Sequence, residues 1–270
     1  MKYYGLDPVY YYTTPSLAWD MMLKITKAKL ELLIDHDMHL IIEKGIRRGV
    51  SMISTRHTKT NKPYMIEYDS NLQTIFIQYL DANNLYGHSL SQKLPFSGFR
   101  WMNEEELSKW RDIACFLEVS LKYPEHLHDL HNDYPLAPES LKMGKVHKLI
   151  PNLYDKEKYE IHHETLKFYL KHGMEITEIH RGIAFEESEW MKPYIDFNTN
   201  LRAQATNDFE KEFFKLMNNS VFRKTIENVR NYVDVSRPAS SFVSQISVNA
   251  PSSVRKVTLQ SFTWVRPRFH

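Results

Sequence analysis

The chain has 270 residues, 42% of them hydrophobic, and 35 Lys plus Arg against 33 Asp plus Glu for a net charge of +2. That apolar content supports one large or two small packed domains, while the near balance of charge excludes the global basic field of small nucleic-acid binders, so any basic groove must be local. A lone cysteine, Cys115, excludes an internal disulfide framework, and neither a secretory leader nor an apolar run of about 18 residues occurs, which points to a soluble, intracellular protein with no membrane partner.

Met1 to Asp20 is tyrosine-rich with Pro8 and Pro15 and reads as an irregular lead-in. Ser16 then caps a helix over Leu17 to Lys29, where apolar residues recur at helical spacing. Asp35 to Glu43 gives a second short helix, Gly45 breaks it, and a strand is expected from Val50. Between them Gly45-Ile46-Arg47-Arg48-Gly49 is a basic, glycine-flanked turn. It suits either a solvated loop or phosphate contact by arginines beside an accessible backbone.

Tyr64 to Tyr68 and Gln73 to Leu80, separated by Asp69-Ser70-Asn71, read as a hairpin. Thr74 to Leu80 is rich in β-branched and aromatic residues and is expected to be a buried strand, with Asp81 where it runs out into a turn. A carboxylate there either caps the turn locally or, if buried, must be paired or hold a metal, because unpaired burial costs several kcal/mol.

Ser91 to Trp101, with Pro95 and Gly98, is expected to be a loop, and Asn103 caps a short acidic helix. Ala114 to Leu121 has strand composition. His126, His128, Asp129, His131 and Asp133 crowd the next segment, yet their spacing fits no zinc pattern and no cysteine is close, so a rigid, packed surface segment is the better reading. His162 to Gly173 reads as a helix with a glycine stop, and Ile176 to Phe185 as a strand. From Trp190 the pattern is helical, interrupted near Asn207, which predicts two antiparallel helices.

On the second of these, counting about 100° per residue, Lys211, Lys215, Asn219, Phe222 and Ile226 fall within about 40° of one line, with Phe209, Phe213, Leu216, Met217 and Val221 on the opposite, packing side. A lysine pair one turn apart with an amide below it can hold a triphosphate, and a merely solvated lysine face has the same pattern.

Asp81-Ala82-Asn83-Asn84-Leu85-Tyr86-Gly87 resembles motif A of family B DNA polymerases, Asp-x-x-Ser-Leu-Tyr-Pro. Lys215-Leu-Met-Asn-Asn219-Ser-Val-Phe222-Arg223 resembles their motif B, Lys-x-x-x-Asn-Ser-x-Tyr-Gly. Further stretches, among them KLELLIDHDMHLIIEKGIRRG, HLHDLHNDYPLAPE and HRGIAFEESEWMKPYIDFNT, look like the protein-primed polymerases of Polinton (Maverick) type transposons and related virus-like elements, from about Tyr3 to Val235.

The resemblance implies an α+β fold: link and first part of the palm with motif A over 1–90, a terminal-protein-binding-like insertion over 91–187, two-helix fingers with motif B over 188–236, and an unrelated, disordered tail over 237–270. It implies a DNA-directed DNA polymerase acting in transposon or viral DNA replication, transferring deoxynucleotides with two magnesium ions. By it Asp81 is catalytic and, with Ala82, holds magnesium; Tyr86, Arg202, Lys211, Lys215, Asn219 and Phe222 meet the incoming nucleotide; and Arg47, Arg48 and Gly49 meet DNA. Primer–template DNA, deoxynucleoside triphosphates and a terminal protein are the implied partners, and a nuclear location follows from the transposon likeness.

The sequence also departs from the pattern. The exonuclease, the thumb and motif C, Tyr-x-Asp-Thr-Asp, are not found, and Arg223 replaces the motif B glycine. A catalytically defective fragment is therefore expected; the rival is a non-catalytic remnant that binds nucleic acid, nucleotide or another protein.

Overall fold

The computed structural model describes residues 3–47 and 50–227. Arg48, Gly49 and the tail over 237–270 expected to be disordered lie outside the described residues.

The elements in chain order are α1 (Thr14–Thr26), α2 (His36–Gly45), α3 (Leu85–Leu90), β1 (Leu94–Trp101), α4 (Glu104–Ser108), β2 (Cys115–Lys122), α5 (His128–His131), β3 (Glu139–Met143), β4 (Val146–Ile150), β5 (Lys156–His162), α6 (His163–Lys171), β6 (Glu175–Ser188), α7 (Lys192–Gln204) and α8 (Asp208–Thr225). The chain divides into two compact units that interleave in sequence: residues 3–43, 89–99 and 185–227 form one, and 44–88 with 100–184 form the other. Among the described residues no helix is long and apolar enough to cross a membrane.

The first unit is helical. α1 starts earlier than its spacing predicts, because Thr13 rather than Ser16 caps it, its hydroxyl accepting from Ser16 N at 3.4 Å. Pro15 lies in the first turn, where its missing N–H has no helical partner to lose. The helix stops at Lys27 in a left-handed conformation (φ 52°). Leu17, Ala18, Trp19, Met21 and Met22 of α1 pack with Met191, Tyr194 and Ile195 and with Phe214, Met217 and Val221 of α8. Burying such side chains contributes roughly 1.5–3 kcal/mol each.

The second unit is built on strands. β2 pairs antiparallel with both β5 and β6 in a sheet of order β1-β6-β2-β5, of which β2, β5 and β6 up to Ala184 belong to this unit. One face of β2 supplies Cys115, Leu117, Val119 and Leu121 to a core with Tyr159, Ile161, Leu166 and Tyr169. β1 was expected to be a loop because it contains Pro95 and Gly98. It is a strand at the sheet edge, where proline costs no ladder bond, and Gly98 takes φ 71°, open to glycine without strain. β3 and β4 form a separate hairpin. The capping box of α4 is as expected: Asn103 accepts from Glu106 N at 2.9 Å, and Glu106 accepts from Asn103 N at 3.1 Å.

The strand expected from Val50 and the hairpin expected over 64–80 do not form. Asn61 pairs with Ile75 in an isolated bridge, and its amide donates to the carbonyls of Asp69, Leu72 and Gln73 at 2.9, 3.2 and 3.1 Å while accepting from Asp69 N at 3.0 Å. One buried side chain thus satisfies backbone groups of the loop ahead of residue 74, and the Asn61 backbone bridges Ile75. Thr74 to Leu80 is exposed rather than buried, Phe76 to 63% and Tyr79 to 92%.

Candidate nucleotide and nucleic-acid site

The expected site residues fall in both units. Arg202, Lys211, Lys215, Asn219 and Phe222 belong to the helical unit; Arg47, Asp81, Ala82 and Tyr86 belong to the stranded one.

In the helical unit Asn207 caps α8, its side chain accepting from Glu210 N at 2.8 Å, and Asp208 and Glu210 complement the positive end of the helix. The buried side runs through Phe214, Met217, Asn218, Val221 and Thr225. This differs from the expected packing side: Phe209 is 80% exposed and Leu216 44%. A polar chain fixes the rotation, with Tyr4 Oη donating to Asn198 Oδ1 at 2.6 Å and Asn198 Nδ2 donating to Asn218 Oδ1 at 2.8 Å. Asn198 is fully buried, so turning Asn218 away would orphan an amide at about 1–3 kcal/mol. Counting only apolar residues on α8 misses this signal.

With that rotation Lys211, Lys215, Asn219 and Phe222 lie along the flank of the packed side. The lysine side chains are 46% and 49% exposed. Their pairs with Asp208 and Glu212, both at 3.4 Å, are surface pairs worth at most about 1 kcal/mol and readily exchanged for a phosphate. Asn219 and Phe222 are half-buried, and Arg202 is exposed in the last turn of α7.

In the stranded unit Asp81 and Ala82 are exposed and Tyr86 is half-buried. The turn after Asp81 passes through Asn84 in a left-handed conformation (φ 55°), and Asn84 O accepts from His88 N at 2.9 Å as α3 begins. A Cβ on Gly87 would meet the Asn84 amide at 2.4 Å, so the two positions that depart from the motif A pattern fit each other. Among the described residues no three His, Cys, Asp or Glu side chains gather to hold a metal. Magnesium completes a near-octahedral set with water and substrate phosphates, and Asp81 with the Ala82 carbonyl offers one carboxylate and one carbonyl toward such a set.

Arg47 is engaged within the stranded unit. Its Nη1 donates to the Glu160 carbonyl at 2.5 Å, its Nη2 lies 3.7 Å from Glu160 Oε2, and its guanidinium sits 3.7 Å from the centre of the Tyr159 ring. Burial pushes the Tyr159 phenol well up, with the Arg47 charge opposing. The strand sequences CFLEVSLK and KEKYEIH do carry a signal for this contact: each places an acid among buried residues, and a buried acid needs a cation.

No protein-family model and no curated protein matches the chain. Among solved structures, Phi29 DNA polymerase in an orthorhombic crystal form is similar over 82% of this chain at 15% identity, with a TM-score of 0.54 and 38% of the polymerase covered. Phi29 DNA polymerase complexed with primer-template DNA and incoming nucleotide substrates is similar over 80% at 15% identity, with a TM-score of 0.52 and 36% covered. The chain thus spans little more than a third of the length of these polymerases. The likeness is one of fold: a mixed α and β arrangement with an antiparallel sheet, similar to part of Phi29 DNA polymerase.

Proposed function

We propose that the chain is a family B DNA polymerase-like protein that binds primer–template DNA and a deoxynucleoside triphosphate, with Lys211 and Lys215 of α8 holding the triphosphate. The observation that carries this is the line of exposed lysines on a helix whose rotation is locked by the buried Asn198–Asn218 bond. The likeness to Phi29 DNA polymerase supports the fold on which that line is mounted. In this reading Asn219 and Phe222 line the nucleotide, Tyr86 lies under its sugar, Arg202 adds a charge, and Arg48 with Gly49 meets DNA.

The finer reading is a protein-primed enzyme of the Polinton (Maverick) kind, with link and palm over 1–90, an insertion over 91–187 that docks a terminal protein, and fingers over 188–236, working in the nucleus. Asp81 with Ala82 is one arm of a magnesium site, and the smallness of that donor set favours binding without turnover by this chain. The test is titration with a fluorescent deoxynucleoside triphosphate. Lys211→Ala/Lys215→Ala should weaken it at least tenfold, about 1.4 kcal/mol, and an unchanged affinity would sink the reading. No primer extension is expected, and extension that disappears in Asp81→Ala would show that turnover occurs after all.

A further inference from the structure

Arg47 belongs to the basic turn that the sequence offers to DNA, yet its guanidinium is used inside the protein. Glu160 stands directly across from Glu118 in the β2/β5 register, and their side chains are 8% and 5% exposed. Two acids facing each other across an antiparallel pair are destabilising unless each is neutralised. Glu118 is answered by Arg181, whose Nε bonds its carboxylate. Glu160 is answered by Arg47, with Lys44 3.6 Å from its other oxygen. Lys44 is 62% exposed and meets the carboxylate, whereas Arg47, 19% exposed and 3.7 Å from that carboxylate, also bonds the Glu160 backbone carbonyl and stacks on Tyr159. A planar guanidinium can make all three contacts at once; an ammonium cannot.

We infer that Arg47 is a positioning residue for the proposed DNA binding: stacked on Tyr159 and bonded to the Glu160 carbonyl, it anchors the end of α2 to β5 without itself contacting phosphate. The assignment rests on the proposed DNA binding for its consequence but not for its geometry. A phosphate taken by Nη1 would cost the bond to the Glu160 carbonyl, and one taken by Nη2 would compete with the Glu160 carboxylate that faces Glu118.

Two measurements on the full chain test it: hydrogen exchange over residues 44–50 without DNA, and binding of a fluorescein-labelled primer–template duplex across a salt series. Arg47→Ala should raise exchange at least tenfold. Glu160→Gln, which touches no phosphate, should raise it several-fold. Both should weaken duplex binding while the slope of log Kd against log salt stays as in the wild type, and Arg47→Lys should not restore either property. A phosphate contact would behave otherwise, lowering the slope by about one in Arg47→Ala and being largely rescued by lysine. Either of those results, or unchanged exchange in Arg47→Ala, overturns the assignment. Should Arg47→Ala fail to fold, Arg47→Lys and Glu160→Gln carry the test. If the wild type binds no duplex, the polymerase-like reading fails while exchange still decides whether Arg47 is the anchor.

Discussion

α8 and the segment 74–81 both carry residues singled out from sequence, and they meet opposite fates. A helix closes its own hydrogen bonds, so α8 needs neighbours only to cover one side, and α1 and α7 supply them. A strand closes its bonds only with another strand. Thr74 to Leu80 has strand composition but one bridging residue, Ile75, and it leaves Ile77, Tyr79 and Leu80 between 53% and 92% exposed. Apolar pattern thus specifies that a helix forms more completely than that a strand does, although on α8 it does not specify which side packs.

That contrast has a direct test in two phenylalanines. Phe214 is buried to 2% between α8 and its neighbours, and Phe76 is 63% exposed. Phe214→Ala should cost about 3–5 kcal/mol in a denaturant titration, whereas Phe76→Ala should stay within about 0.5 kcal/mol. A loss above about 2 kcal/mol for Phe76→Ala would mean that the segment packs in solution and that the two regions are alike.

A finer probe addresses what sets the rotation of α8. Tyr4, Asn198 and Asn218 form one chain of hydrogen bonds, so removing either end leaves Asn198 with an unmatched group. Asn218→Ala should cost about 1–3 kcal/mol. Tyr4→Phe should cost less, and the double variant should miss additivity by at least about 0.5 kcal/mol because both act through Asn198. Strict additivity would show that the amides do not act as a unit.

Legibility in the sequence follows the same physics. The caps at Asn103 and Asn207 and the helices behind them were legible because cap and period are local. So were β2 and β6, from the strand composition of Ala114 to Leu121 and Ile176 to Phe185. β1 was hidden by Pro95 and Gly98, which mark a loop unless the strand is known to lie at an edge. β5 was hidden too, since Lys156, Lys158 and Glu160 break its apolar pattern. Lys156 is fully buried, bonded to Glu139 at 2.9 Å and to Asn152, and burial is the main influence lowering its pKa. The lysine line on α8 was readable from spacing, but its angle to the packed side was not, because polar Asn218, Ser220 and Thr225 are among the buried residues. Nor did the basic turn show that Arg47 belongs to β5, a contact 113 residues away in sequence.

The smallest expected effect concerns the histidine-rich segment, read from sequence as a packed surface. It is packed, and His131 is buried within it. Leu136 N donates to Tyr123 Oη at 3.2 Å, and the tyrosine oxygen lies 2.8 Å from His131 Nδ1. With its oxygen accepting from Leu136, Tyr123 is placed to donate to His131, which suits a neutral ring protonated on Nε2. The His172 ring faces it, with ring centres 6.4 Å apart. Burial first, and electrostatic repulsion from His172 second, lower the His131 pKa from 6.5. The unfolded chain therefore takes up a proton before the folded protein does, so this contribution is whole above about pH 6.5 and is lost as pH falls from there through the lowered folded value. Melting temperature measured between pH 7.5 and 5 should fall less in His131→Leu than in the wild type, although the variant starts lower for loss of the Tyr123 bond. Identical pH profiles would show that His131 titrates alike in both states, and would leave the contrast between buried and exposed side chains standing on the helical unit alone.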